Sequence, residues 1–293
     1  MFAIATQEKQ YKTYILSDEK ANSKLEVVPD RGGIITQWQV NGKEILYLDT
    51  ERFTHPDLSI RGGIPILFPI CGNLPDNTYT YQGKEYHLKQ HGFARDLPWQ
   101  VISQETLDAA SISLVLFSSD RTLAVYPFHF ELAFTYKIKG NTLEIRQRYT
   151  NHGSETMPFS TGLHPYFLTT DKTQLSFQIP ACQYQDQRTK EIKTFKGNFD
   201  FNNDEIDIAF SNLTSKTATV IDASRQLQLD LNYGSETCEV YSKLVFWTLK
   251  GKDFYCLEPW SAARNALNTG ENLILLPPKD SLEIVFRLSV QNY

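Results

Sequence analysis

The 293-residue sequence contains few cysteines, and their spacing matches no familiar metal or disulfide pattern. Cys71, Cys182, Cys238 and Cys256 include no CxxC pair and have no histidine at zinc-ligand spacing. We therefore expect reduced thiols, no bound metal and no disulfide framework.

Long apolar runs and targeting signals are also missing. No stretch approaches the roughly 20 apolar residues of a membrane-spanning helix. Residues 1–9 lack the basic segment and apolar run of a secretory signal. Lysine and arginine are scattered, and the formal net charge is -5, so no polyanion-binding stripe is visible. These absences predict a cytoplasmic protein that binds neither membranes nor nucleic acid.

Aromatic residues and alternating segments are abundant. Hydrophobic residues make up 41% of the chain, and Phe and Tyr number 18 and 15, which is ample material for a core. Segments such as 24–28, 130–138 and 282–290 place apolar residues two apart, and turn pairs such as Asn41-Gly42 separate them. Long helical periodicity is hard to find. The pattern predicts an all-β protein, a large antiparallel β-sandwich.

The chain shows no fixed-period repeat, no low-complexity tract and no Pro/Gly/Ser linker. We therefore expect residues 1–293 to form a single domain. The polar stretch from Gln183 to Asp204 is predicted to be a long surface segment that connects core strands.

Two glycine-rich segments carry arginines. Arg61 begins Arg-Gly-Gly-Ile-Pro, where glycines let a ligand approach the backbone and a guanidinium offers several donors. A buried turn explains the same residues equally well. In Gln90-His-Gly-Phe-Ala-Arg95, small residues flank His91, and this can bring an imidazole and a guanidinium to one pocket. The alternative is a structural histidine.

Two further segments carry groups suited to proton transfer. His164 precedes a proline, which indicates a strand end or edge, and its ordinary pKa lies near neutrality. Glu258 is a lone carboxylate among Phe254, Cys256 and Trp260, where burial raises a carboxyl pKa and favours a base. Structural alternatives are a histidine that caps buried carbonyls and a buried salt bridge. No nucleophile-elbow serine accompanies them, and a glycosidase-like carboxylate pair has weak support.

Four segments resemble the aldose 1-epimerase (galactose mutarotase-like) superfamily, in the family's order. They are Leu25-Glu-Val-Val-Pro-Asp-Arg-Gly-Gly, Tyr126-Pro-Phe-His-Phe-Glu-Leu, His164-Pro-Tyr-Phe and Glu258-Pro-Trp. The resemblance covers most of the chain and implies a galactose mutarotase-like supersandwich.

The resemblance also implies a reaction. Glu258 as general base takes the proton from the anomeric hydroxyl of a sugar, and His164 as general acid protonates the ring oxygen. The ring opens to the aldehyde and recloses as the other anomer, with no metal and no cofactor. His91 matches a second histidine that contacts the sugar, and Asp207, in an Asp-x-x-Phe segment, is a candidate ligand for sugar hydroxyls.

Departures from the family pattern concern the substrate. Galactose mutarotases have Asn-Arg where this chain has Asn73-Leu74, so the arginine expected to contact sugar hydroxyls is missing there. Arg61 and Arg95 lie in segments that resemble the hexose-6-phosphate mutarotase branch, in which arginines are associated with the phosphate. The branch's Thr-Asp-Arg segment is absent. We expect a small-molecule sugar or sugar phosphate as partner, with Asn73 as a further contact.

Other functions stay open at this point. Trp260, Phe68 and Tyr166 offer aromatic faces on which a pyranose can stack, so a non-catalytic carbohydrate-binding or sensing sandwich is the main alternative. A polysaccharide lyase or hydrolase is a weaker one.

Overall fold

Strict alternation along the chain produces β-strands with one buried face. The strand Phe130–Lys139 shows this directly, since every second residue is buried and the intervening ones are partly exposed. The computed structural model describes residues 1–234 and 240–292. Of the four cysteines, Cys71, Cys182 and Cys256 are free thiols, and Cys238 lies outside the described residues.

The described strands, numbered along the chain, are β1 Phe2–Glu8, β2 Lys12–Asp18, β3 Ser23–Val28, β4 Ile34–Val40, β5 Lys43–Glu44, β6 Ile66–Leu67, β7 Thr78–Tyr81, β8 Lys84–His87, β9 Gln100–Glu105, β10 Ala110–Phe117, β11 Phe130–Lys139, β12 Thr142–Asn151, β13 Met157–Phe159, β14 Gly162–Leu163, β15 Tyr166–Leu168, β16 Leu175–Gln178, β17 Gln183–Asp186, β18 Ile192–Thr194, β19 Glu205–Phe210, β20 Thr217–Asp222, β21 Leu227–Asn232, β22 Lys243–Leu249, β23 Phe254–Trp260, β24 Ile274–Leu276 and β25 Ser281–Asn292.

Helices are few and short. The described α-helices are α1 Thr50–Thr54, α2 Asp120–Leu123 and α3 Ala266–Thr269, and single 3-10 turns cover Pro29–Arg31, Pro75–Asn77, Ala94–Asp96 and Lys172–Gln174. Within the described ranges, no helix has both the length and the apolar character needed to span a membrane.

Two eight-stranded antiparallel sheets dominate the architecture. The first has the order β16-β20-β21-β25-β12-β11-β10-β9, and the second has the order β18-β17-β19-β22-β23-β14-β6, with β15 also paired to β23. A five-stranded sheet, β1 to β5, and the two-stranded ribbons β7-β8 and β13-β24 complete the assembly. The predicted all-β, antiparallel sandwich is confirmed.

Aromatic side chains join the inner faces of the two large sheets. Phe177 of β16 packs edge-on against Phe246 of β22, with ring centroids 5.2 Å apart. Phe68, which follows β6, lies 5.1 Å from the ring of Phe130 in β11. Such contacts bury large apolar areas, and each fully buried aromatic side chain contributes about 1.5–3 kcal/mol.

The stretch from Gln183 to Asp204 is only partly the surface excursion that its composition predicts. It contains β17 and β18, which pair with each other and extend the second large sheet beyond β19. Most of its side chains are exposed, which explains why the alternating pattern of a core strand is absent there.

Candidate active site

A cavity of about 270 Å³ lies on the face of the second large sheet that points away from the core. Alternation decides which side chains reach it. In β23, Tyr255 and Leu257 belong to the core, whereas Glu258 and Trp260 line the cavity. In β19, Asp207 lines the cavity between two core residues. The lining residues are Arg52, Ser59, Ile60, Arg61, Gln90, His91, Arg95, His164, Tyr166, Glu205, Asp207, Val245, Trp247, Glu258, Trp260 and Arg264.

Glu258 lies at the bottom of this cavity with 1% exposure. It sits opposite Val245 in the β22-β23 ladder, and its Oε2 accepts a 2.9 Å hydrogen bond from Trp260 Nε1. Burial raises the pKa of the Glu258 carboxyl well above its ordinary range, and nearby Asp207 adds to this. The Trp260 hydrogen bond acts in the opposite direction.

His164 contacts the other oxygen of the same carboxyl group. Its Nε2 lies 3.3 Å from Glu258 Oε1. The ring stacks on Tyr166 at 4.7 Å, and the backbone N–H donates to the carbonyl of Pro65, which fixes the segment between β14 and β15. The two groups predicted for acid and base roles therefore meet in one cavity, although they are 94 positions apart in the chain.

Burial disfavours both charged members of this pair. It lowers the pKa of His164 to about 3, with Arg95 adding to the effect, and it raises that of Glu258. Both shifts favour the uncharged pair, in which the proton that the two groups can exchange lies on Glu258. A shift of that proton to His164 generates a carboxylate base and an imidazolium acid in contact.

His91 is held as a neutral hydrogen-bond donor. Its Nδ1 accepts a 3.0 Å hydrogen bond from the backbone N–H of Gly72, and the backbone N–H of His91 donates to the Gly72 carbonyl at 2.7 Å. Because Nδ1 is an acceptor, the ring proton resides on Nε2. Burial lowers the pKa of His91 well below its ordinary value, so the ring stays uncharged. It lies 5.5 Å from the rings of both His164 and Trp260.

Three arginines of the cavity have no carboxylate partner. Among the described residues, Arg52, Arg61 and Arg95 form no ion pair. Arg95 Nη2 donates to the Gln90 carbonyl, while its Nε is buried without a hydrogen-bond partner in the described part of the chain. Arg61 lies over the ring of Trp247 at 5.9 Å. Sequence analysis identified Arg61 and Arg95 but missed Arg52, which comes from the five-residue helix α1.

A fourth arginine, also missed, is paired. Arg264 Nη2 contacts Asp207 Oδ2 at 2.8 Å, and its Nη1 donates to Asn73 Oδ1 at 3.0 Å. Asn73 is exposed and does not line the cavity, so its predicted contact with substrate stays a prediction. Arg264 lies four residues beyond Trp260, and no local signal in the sequence set it apart from the other arginines.

The glycines beside Arg61 serve the fold and do not open a path for ligand. A Cβ on Gly62 would lie 2.5 Å from Leu48 Cα, and one on Gly63 would lie 2.2 Å from the Ile35 carbonyl oxygen. Both glycines also have positive φ. The idea that they admit a ligand is therefore wrong, because backbone of the five-stranded sheet and the segment after it fills that space.

Phe68 is likewise unavailable as a stacking platform. It has 0% exposure and packs among core rings. Trp260 and Tyr166 do line the cavity, so two of the three predicted aromatic faces remain at the site.

Among the described residues, the only cluster with metal-ligand geometry overlaps the contact between His164 and Glu258. His164, Cys256 and Glu258 have ligand atoms within 4.8 Å of one another. Burial raises the pKa of the Cys256 thiol well above its ordinary value, which opposes the thiolate form that metals require. We assign no metal to these residues.

Solved structures of other proteins share the fold of this chain. The Slr1438 protein of Synechocystis sp. PCC 6803 is 46% identical over the full length of both chains, with a TM-score of 0.94. A galactose mutarotase-like protein of Clostridium acetobutylicum shares the fold, with a TM-score of 0.82 at 22% identity over 100% of this chain and 99% of that one.

More distant sequence relatives include protein LacX of Lactococcus lactis subsp. lactis, 27% identical over 85% of each chain. A Cenchrus ciliaris protein named "Putative glucose-6-phosphate 1-epimerase" is 27% identical over 64% of this chain, and the match spans 58% of that protein's length. The sequence pattern of the aldose 1-epimerase family matches residues 14–285. The chain is therefore a member of the aldose 1-epimerase family.

Proposed function

We propose that the protein interconverts the α and β anomers of an aldohexose, with the 6-phosphorylated sugar as its preferred substrate. The observation that carries the proposal is the 3.3 Å contact between His164 Nε2 and Glu258 Oε1 inside a pyranose-sized cavity. Anomer exchange needs one proton removed and one supplied at neighbouring oxygens. A buried pair that holds one mobile proton meets this need without a cofactor.

The proposed steps balance in protons. Glu258, as carboxylate, removes the proton from the anomeric hydroxyl while His164, as imidazolium, protonates the ring oxygen. The C1–O5 bond breaks and the aldehyde forms. Rotation about C1–C2 and the reverse transfers close the ring as the other anomer. His91 donates from Nε2 to a sugar oxygen, and each positioned acid or base contributes about 10²–10⁴-fold.

The unpaired arginines support a phosphorylated substrate. A buried guanidinium without a counter-ion is unfavourable, and a phosphate restores the balance through charge-assisted hydrogen bonds. Arg95 is half-buried, and its buried Nε has no hydrogen-bond partner among the described residues. Arg61 and Arg52 line the same cavity, also without carboxylate partners in the described part of the chain. A free sugar offers none of the three arginines a negative charge.

Saturation-transfer NMR on equilibrated sugars tests the proposal. Glucose 6-phosphate, galactose 6-phosphate, glucose and galactose are each compared with protein-free buffer. We expect faster anomer exchange for at least one hexose 6-phosphate than for its free sugar. If none of the four exchanges faster than its control, the catalytic proposal fails. Binding without acceleration would instead favour the non-catalytic carbohydrate-binding alternative, in which Trp260 and Tyr166 serve as stacking faces.

A further inference from the structure

Arg264 joins three parts of the active site. Its guanidinium pairs with Asp207 of β19, donates to Asn73 in the loop after β6 and lies 5.7 Å from the ring of Trp260 in β23. Trp260 in turn donates to Glu258. The arginine therefore connects the wall of the cavity to the strand that carries the carboxyl group.

The side chain of Arg264 passes directly over Gly72. A Cβ on Gly72 would lie 2.4 Å from Arg264 Cγ, so the absence of a side chain at position 72 lets the arginine pass. Leu74, by contrast, is buried with 2% exposure in the core. The chain thus has a core leucine next to Asn73, and the guanidinium bound to the Asn73 side chain comes from a different segment.

Two polar atoms of the Arg264–Asp207 pair remain unsatisfied. Asp207 Oδ1 and Arg264 Nε are each buried without a hydrogen-bond partner in the described residues. Both residues line the cavity. One atom is an acceptor and the other a donor, and a sugar hydroxyl can satisfy either because it both donates and accepts. Buried polar groups without hydrogen bonds are unfavourable, so a ligand hydroxyl that bonds to these atoms should bind with a gain in free energy.

We propose that Arg264 is a positioning residue that orients Asp207 to accept hydrogen bonds from sugar hydroxyls, and so sets which hexose epimers the site binds productively. This inference rests on the proposed function and refines its substrate class. Arg264 provides the counter-charge that an ionised carboxylate needs there, since burial alone raises the pKa of Asp207 and Arg264 lowers it. A site built to bond a hydroxyl rejects the epimer that cannot supply it, because its polar groups are then left unpaired.

The test measures kcat/KM for Arg264→Gln on glucose, galactose and mannose 6-phosphates, of which the galactose and mannose compounds each differ from the glucose compound by one hydroxyl inversion. We expect the wild type to favour one epimer by about tenfold or more, and Arg264→Gln to reduce that preference to within about threefold. Arg264→Lys should give intermediate values, because one ammonium cannot contact both Asp207 and Asn73 as the guanidinium does. The lysine variant also keeps the charge if the glutamine variant fails to fold.

The double variant Arg264→Gln/Asp207→Asn separates positioning from general packing. If Arg264 acts through Asp207, the double variant is no worse than Asp207→Asn alone. Arg61→Gln is the matched control, and it should weaken all three phosphates equally and leave the epimer ratio unchanged. An Arg264→Gln ratio within twofold of wild type, or additive losses in the double variant, overturns the inference.

Failure of the proposed function is distinguishable from failure of this inference. If the wild type accelerates no sugar, the catalytic proposal is wrong, and Arg264 is then tested by binding. Quenching of tryptophan fluorescence, to which Trp260 beside Arg264 contributes, gives dissociation constants for the same three sugars. Loss of epimer preference in Arg264→Gln supports the inference in that assay as well, and an unchanged preference contradicts it.

Discussion

Trp260 Nε1 donates to Glu258 Oε2 at 2.9 Å, although the two residues are next-but-one neighbours in a single strand. Alternation places both on the cavity face, and the bond leaves Oε1 for His164. The carboxyl group is thus held at both oxygens. These two contacts fix the orientation of the Glu258 carboxyl group, which burial alone would not do.

Glu258→Gln should abolish most activity and preserve the fold. The amide keeps the shape and the Trp260 contact but cannot accept a proton, so kcat should fall by about 10²–10⁴-fold. Burial already favours the uncharged form of Glu258, so a neutral amide of the same shape should leave the melting temperature nearly unchanged. Kinetics and thermal unfolding check both points, and near-normal turnover would remove Glu258 from the base role.

The plot of kcat/KM against pH should show no inflection from histidine titration near neutrality. Burial lowers the pKa of His164 to about 3, so a second proton joins the pair only in strong acid. Burial also raises the pKa of Glu258 well above its ordinary range, so the first proton is held to higher pH than on an ordinary carboxyl group. The one-proton state therefore persists below the ordinary histidine pKa of about 6.5. We expect kcat/KM with free glucose to stay flat between about pH 5 and pH 7. An acid limb centred near 6.5 would contradict this assignment.

Arg61→Gln should separate phosphorylated from free sugars. Loss of a charge-assisted phosphate contact should raise KM for glucose 6-phosphate by about tenfold or more, while kcat/KM for free glucose changes little. Arg146→Gln serves as the control, because Arg146 is exposed and its nearest ion-pair contact is Glu144 at 3.6 Å, far from the cavity lining. Equal losses on both sugars would indicate a general structural effect.

Gly162→Ala should damage the site through packing. A Cβ there would lie 2.7 Å from the Pro259 carbonyl oxygen and 3.0 Å from Trp260 Cδ1. Overpacking of this kind costs about 1–3 kcal/mol, and displacement of Trp260 should lower kcat as well. Gly251→Ala is the matched control, since no atom lies within 4 Å of its Cβ. It should lose some stability from its positive φ and keep full activity.

The sequence predicted the strands and the acid–base pair for physical reasons. Period-two alternation in β11 and β23 is a local property, so it is visible without coordinates. A carboxylate among aromatics and a histidine before proline are also local signals.

The roles of Arg52 and Arg264 could not be predicted in the same way. Each depends on where a loop is carried by distant strand pairing, and neither has a distinctive neighbour in the chain. The glycines after Arg61 suggested open space for a ligand. That space is filled by the backbone of Ile35 and Leu48, which are distant in the chain, so the sequence could not show it.

The position of β25 has a consequence for assembly during synthesis. This last described strand lies between β21 and β12, in the interior of its sheet. Until residues 281–292 leave the ribosome, β12 and β21 both present open edges that invite association with other chains. We expect nascent chains of this protein to need chaperone protection until residues 281–292 have been synthesised, and variants that lack these residues to aggregate.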